Sequence, residues 1–259
     1  MAVAETITST VKQRLDQALE QENPRPLLLS GLERDAKSLF GTPDASFGYL
    51  ILGILDAINN RKNNFDKHFD FISAPEVLNN ASFYRLIGLN RMGYFDDAIV
   101  YLEEMFKASR NTNDPLLLRA LAQLGMLYGF MEQPGLIIER LNMMTSHNPN
   151  QNVGLIRLLQ LLKNTKIKEA VLVSVILAGK ELLKEKGFQI PTYAFHYSVE
   201  LDNVIELRML CFCNNLAKLV EADEALSALL IDMEDSVDSN LINFNISCRP
   251  FNSSHGIGC

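Results

Sequence analysis

The sequence lacks the features that announce a membrane anchor, a cofactor or a metal. No apolar run approaches the roughly 20 residues a helix needs to cross a bilayer. The longest, 47–55 (FGYLILGIL) and 170–179 (AVLVSVILAG), are closely followed by Asp56 and by Lys180 and Glu181. The first residues have no basic stretch leading into an apolar one and carry Glu5, so a secretion signal is not expected. There is no GxGxxG, no glycine pattern of a P-loop ahead of Gly179-Lys180, no HExxH and no GxSxG. Neither a cofactor nor an enzymatic activity is expected. Cysteine is scarce, with only Cys211, Cys213, Cys248 and Cys259, all in the last fifth of the chain. That is too few for a disulfide scaffold, and the reducing cytoplasm is the expected compartment. Cys248, His255 and Cys259 with Cys211 and Cys213 match no closed zinc pattern, so buried thiols and no metal are expected.

Glycine and proline are also sparse, at 14 and 9 residues, while 47% of the chain is hydrophobic and 21% charged. Those proportions exclude a disordered, collagen-like or low-complexity chain. A length of 259 residues allows one large domain or two ordinary ones with a sizeable core. Basic charge is in deficit: 24 Lys+Arg stand against 31 Asp+Glu, for a net charge of −7. This is the wrong sign for general attraction to nucleic acid or anionic lipid, so neither is expected as a partner. The deficit is local. Residues 200–240 hold ten acids and two bases, enough to account for the whole imbalance.

What is present, from residue 6 to about 187, is helical periodicity. Apolar residues recur at i, i+3, i+4 and i+7, as in Val11, Leu15 and Leu19 or Ile99, Leu102, Met105 and Phe106. Short breaks punctuate the pattern: Asn23-Pro24-Arg25-Pro26, Thr42-Pro43-Asp44, Ser73-Ala74-Pro75-Glu76, Asn113-Asp114-Pro115 and His147-Asn148-Pro149-Asn150. Arg91-Met92-Gly93-Tyr94 reads as a turn inside one segment. Many helices with short connections predict an array of antiparallel helical hairpins.

After Gly187 the period changes from 3.6 to 2. Tyr193, Phe195, Tyr197, Val199 and Leu201 alternate with Ala194, His196, Ser198 and Glu200. Ile242, Phe244, Ile246 and Cys248 alternate with Asn243, Asn245, Ser247 and Arg249. Both read as strands, pairing with each other, and 204–235 between them reads as a helical hairpin turning near Glu221-Ala222-Asp223. The expected fold is therefore mainly α: a helical hairpin solenoid over 1–187 and a small β-α-α-β appendix over 188–259.

In 118–150, Leu124-Gly125, Tyr128, Ile137, Leu141, Met144 and Pro149 fall at a spacing that resembles the tetratricopeptide-repeat family. Gly93, Phe95, Ala98 and Leu102 match the turn and second helix of the same motif in 79–112, and Ala170 continues the spacing in 151–184. The departures are Ile137 in a small-residue slot and Pro134 in the turn. The resemblance implies a groove that binds a partner peptide or protein. Its ligand-facing positions would include Asn90 and Arg91, then Arg119, Met126 and Phe130, then Lys163. The acidic segment offers a second docking surface for a basic partner at Glu221, Asp223 and Glu224.

Two alternatives accompany this scaffold, adaptor or chaperone-like reading. Arg61 and His68 are similar in spacing to the pair of HEPN-type ribonucleases, which implies RNA cleavage. The acidic end also suits an immunity- or antitoxin-type inhibitor that masks a basic partner.

Overall fold

The computed structural model describes residues 2–73, 75–144, 152–190, 192–197, 205–213 and 215–251. Among these the chain is mainly helical, with eleven α-helices and one three-stranded sheet. The expected turn at 147–150, the end of the first expected strand at 198–201 and the tail bearing His255 and Cys259 lie outside the described residues. The chain divides into two compact units, Met1–Tyr94 and Phe95–Cys259.

The first unit holds α1 (Ala2–Leu19), α2 (Pro26–Ser38), α3 (Ala45–Ile58), α4 (Lys62–Asp70) and α5 (Pro75–Met92). Helix α2 opens on a proline, whose missing N–H costs nothing in a first turn. Helix α5 stops where the sequence predicts a turn. Gly93 takes a φ of 75°, and the Tyr94 N–H donates back to the Leu89 carbonyl at 2.9 Å. Leu15, Leu32, Leu50, Ile51, Ile54, Phe65 and Leu86 make the core. The apolar helix α3 lies at its centre, packed on α2, α4 and α5. One glycine sets how closely α4 approaches: a Cβ on Gly53 would lie 2.6 Å from the Phe69 ring. Gly53→Ala is expected to cost about 1–3 kcal/mol by overpacking, read as a lower urea midpoint. An unchanged midpoint would mean that α4 has room to shift.

The second unit holds α6 (Phe95–Ser109), α7 (Pro115–Leu127), α8 (Glu132–Met144), α9 (Val153–Asn164) and α10 (Glu169–Glu185). After these come β1 (Thr192–Tyr197), β2 (Ile205–Cys211), α11 (Leu216–Ser236) and β3 (Phe244–Pro250). Asp114 caps α7 as its place before Pro115 predicts, accepting from the N–H groups of Leu116 at 2.9 Å and Leu117 at 3.3 Å. Gly125 sits where the chain packs tightly: a Cβ there would meet Phe106 at 2.6 Å and Pro134 at 2.8 Å. Tyr128 and Leu141 are buried.

The C-terminal part differs from its expected form in two respects. The outer strands do not pair with each other. Each pairs with β2, antiparallel for β1 (Phe195 opposite Leu207) and parallel for β3 (Leu207 opposite Ile246), giving the order β1-β2-β3. The segment expected as a helical hairpin supplies that central strand and then a single helix. Ile205, Leu207, Met209 and Cys211 are all buried in β2, with half-buried Glu206 and Arg208 between the first three. Helix α11 runs through Glu221-Ala222-Asp223 because nothing there breaks it. It also provides the long crossover that parallel β2 and β3 need. The second expected strand, read from the alternation that starts at Ile242, begins at Phe244, after a 3₁₀ turn at Ser239–Asn243.

Candidate functional site

In the first unit two polar side chains meet on one buried carboxylate, Asp56. Tyr49, Gly53 and Asp56 recur at i, i+4 and i+7 and so share one face of α3. The small Gly53 lets α4 close on that face. His68 donates from Nδ1 to Asp56 Oδ2 at 2.7 Å, and Arg61 Nε lies 3.1 Å from Asp56 Oδ1. The Asp56 side chain is only 6% exposed, His68 26% and Arg61 56%. The carboxylate is therefore sunk beneath two cationic or protonatable groups that reach solvent. The adjoining surface is aromatic. Tyr49 has its ring centroid 4.8 Å from Phe40, 5.1 Å from Phe71 and 6.2 Å from His68. Phe71 and Phe40 are exposed.

The residues expected to line a tetratricopeptide groove are mostly consumed inside the fold. Arg91 is buried, and its guanidinium donates to the carbonyls of Leu19 at 3.0 Å, Gln21 at 2.8 Å and Glu22 at 2.9 Å. Burial pushes its pKa down to about 10, partly offset by the Glu22 charge. Carbonyls at and just past the end of α1 have no partners within that helix, and Arg91 supplies them. Asn90 is buried too, donating Nδ2–H to the Leu86 carbonyl at 2.9 Å. Met126 is fully buried, and Phe130 packs edge-on against Phe106 at 5.5 Å. These four are corrections: Asn90, Arg91 and Met126 lie on helices and Phe130 in the turn between α7 and α8, and the core takes the side chains assigned to a ligand. Arg119 is half-buried and donates from Nε to Asn152 Oδ1 at 3.1 Å. Of the six, only Lys163 is exposed.

The acidic residues of α11 divide between structure and surface. Asp223 accepts the Cys248 N–H of β3 and pairs with Arg249. It therefore covers the open edge of the sheet rather than offering charge to a partner. Glu221 and Glu224 are exposed. Helix α11 buries Leu219, Ala222, Leu226 and Leu230 and leaves Leu216, Val220 and Ile231 at 75%, 49% and 59% exposure.

No known protein family, curated protein or solved structure matches the chain. Among the described residues no cluster of His, Cys, Asp and Glu could hold a metal, and no helix is long and apolar enough to cross a membrane. Cys211 and Cys248, expected as buried thiols, meet at 3.2 Å between β2 and β3. The hydrogen bond with the Cys248 thiol, and then burial, drive the Cys211 pKa upward, which makes it a poor nucleophile. Sequence reasoning singled out Arg61 and His68 but missed Asp56, Tyr49 and Phe71. The i, i+4, i+7 spacing of Tyr49, Gly53 and Asp56 in an otherwise apolar helix was the available signal.

Proposed function

We propose that this chain is a protein-binding module: a tetratricopeptide-like array of helical hairpins whose helix α11 docks a basic, amphipathic segment of another protein. The observation that carries the reading is the two-striped outer face of α11. Counted at 100° per residue, the exposed Leu216, Val220 and Ile231 lie within about 60° of one another and form an apolar strip, which Ser227 and Glu234 interrupt. Glu221, Glu224, Asp232 and Asp235 lie beside it in a second stripe. An exposed apolar strip of this kind favours a second apolar face. The flanking carboxylates select one that carries Lys or Arg and steer its approach. Use of Asn90, Arg91, Met126 and Phe130 inside the fold moves the docking surface from the groove to this helix.

Glu221→Lys with Glu224→Lys is expected to weaken binding of an amphipathic Leu/Lys peptide by roughly tenfold or more and to flatten its salt dependence. Both side chains are exposed, so the melting temperature should hold. The parallel experiment is affinity capture from the native cell with wild type and with Val220→Asp/Ile231→Asp. A basic protein retained by wild type and lost from the variant supports the reading. An identical set of captured proteins, or equal peptide affinity, rejects it.

A further inference from the structure

We infer that the first unit carries a separate ligand site, in which the Phe71–Tyr49–Phe40 surface with Arg61 and His68 takes an aromatic base bearing a phosphate. A mononucleotide and a single-stranded nucleic acid share that chemistry. Three independent features of one surface carry the assignment.

The first is an exposed aromatic surface. Phe71 is 60% exposed and Phe40 38%, and both rings touch the half-buried Tyr49, at 5.1 and 4.8 Å. Two phenylalanines left in water beside a tyrosine lower no folding free energy by their outer faces. A planar base stacks on such faces without regard to its identity. The second is the pair of nitrogen-bearing groups next to the rings. His68 is fixed through Nδ1 on Asp56 at 2.7 Å, which leaves Nε2 as its second polar atom. Arg61 is held through Nε on the same carboxylate at 3.1 Å, with more than half of its side chain in solvent. The Tyr49 ring lies 6.2 Å from the His68 ring, so a base on the aromatic surface would bring its phosphate within a nucleotide's length of both groups. The buried Asp56 orients the two without itself facing the ligand.

The third feature is the charge of the surroundings. The acidity of the chain lies in residues 200–240, whereas the first unit holds ten Lys and Arg against eleven Asp and Glu. A phosphate therefore meets no general repulsion there. One exposed carboxylate, Glu33, lies within electrostatic reach of Arg61. Its carboxylate accepts from Lys37 at 2.6 Å and adds a negative charge that opposes an incoming anion.

The assignment is one of binding, and it needs no cleavage step. The test is fluorescence anisotropy on the full chain with two probes, anthraniloyl-AMP and a fluorescein-labelled oligo-adenylate strand, with inorganic phosphate and adenosine as competitors. Saturable binding is expected, with Phe71→Ala and Arg61→Glu each weakening it by roughly tenfold or more. Glu33→Gln should tighten it about two- to threefold. Circular dichroism melts confirm that the variants fold. Equal affinity for the two probes assigns the site to a single nucleotide, and preference for the strand assigns it to a nucleic-acid chain. Absence of saturable binding to both probes overturns the proposal, as does wild-type affinity in the folded Phe71→Ala and Arg61→Glu variants. Wild-type affinity in Glu33→Gln takes the phosphate off Arg61 and equally overturns it.

Discussion

Arg91→Ala is expected to destabilise the first unit by about 3–5 kcal/mol, lowering its melting temperature by roughly 10 °C or more. Arg91 binds three carbonyl oxygens, of Leu19, Gln21 and Glu22, where the chain leaves α1 on its way to α2. These acceptors lie 69 to 72 residues away in sequence, so the guanidinium ties the first helix to the fifth. Truncation leaves carbonyls without their charged donor, and the cost of an unmade bond at a buried group exceeds the net gain of making it. Arg91→Lys should recover part of the loss, because an ammonium places its three donors around one point and cannot span three separated oxygens. Burial has already brought the group to a pKa of about 10, so it remains charged at neutral pH and its bonds are charge-assisted. The measurement is urea unfolding of the three proteins followed by circular dichroism. A groove cation would behave differently, with Arg91→Ala melting as wild type and only partner capture suffering. A loss under about 1 kcal/mol would restore that groove role.

The contrast between Arg91 and Asp114 shows which parts of the molecule were legible in its sequence. Asp114 acts on N–H groups two and three residues ahead, and Gly93 on its own φ angle. Devices of that range are written in consecutive letters, so the helix boundaries at α7 and after α5 could be read directly. Arg91 acts through space on a segment that no local pattern connects with it, and a repeat motif assigned it to a ligand by default. Strand β2 was lost for another reason. Its residues Glu206, Leu207, Arg208, Met209 and Leu210 are all favourable in helices, and the alternation of Ile205, Leu207, Met209 and Cys211 was the weaker signal. Neighbouring strands on both sides made the outcome a strand. At the Asp56 site, charge and spacing pointed to Arg61 and His68, but their common carboxylate sat at the end of an apolar run that reads as core. The α11 face was legible only as net acidity. Its two stripes appear once the helix is known to be continuous.

Lys180→Met should raise stability at neutral pH by about 1–3 kcal/mol, and the gain should shrink as the pH rises. Lys180 lies on α10 in step with Leu172, Ile176 and Leu183, all of them buried, and is itself fully buried. Its Nζ stands 3.7 Å from the centre of the Tyr128 ring and 5.5 Å from that of Phe95. The ring faces favour the ammonium, but removal from water outweighs them and drives its pKa well below the ordinary lysine value. Between the depressed folded pKa and about 10.4, the unfolded chain binds a proton that the folded chain does not. Stability of the wild type therefore rises with pH across that window, by up to about 1.4 kcal/mol per unit. Methionine keeps the aliphatic stem and its packing while removing the charge, so the variant lacks this slope. Paired melts from pH 7 to pH 10 should find the two proteins converging. The shared titrations of tyrosines and cysteines cancel in that difference. A gap that stays constant, or a variant less stable than wild type throughout, would show that the ammonium is held charged by the fold and that the surrounding aromatic cage has been built to keep it so.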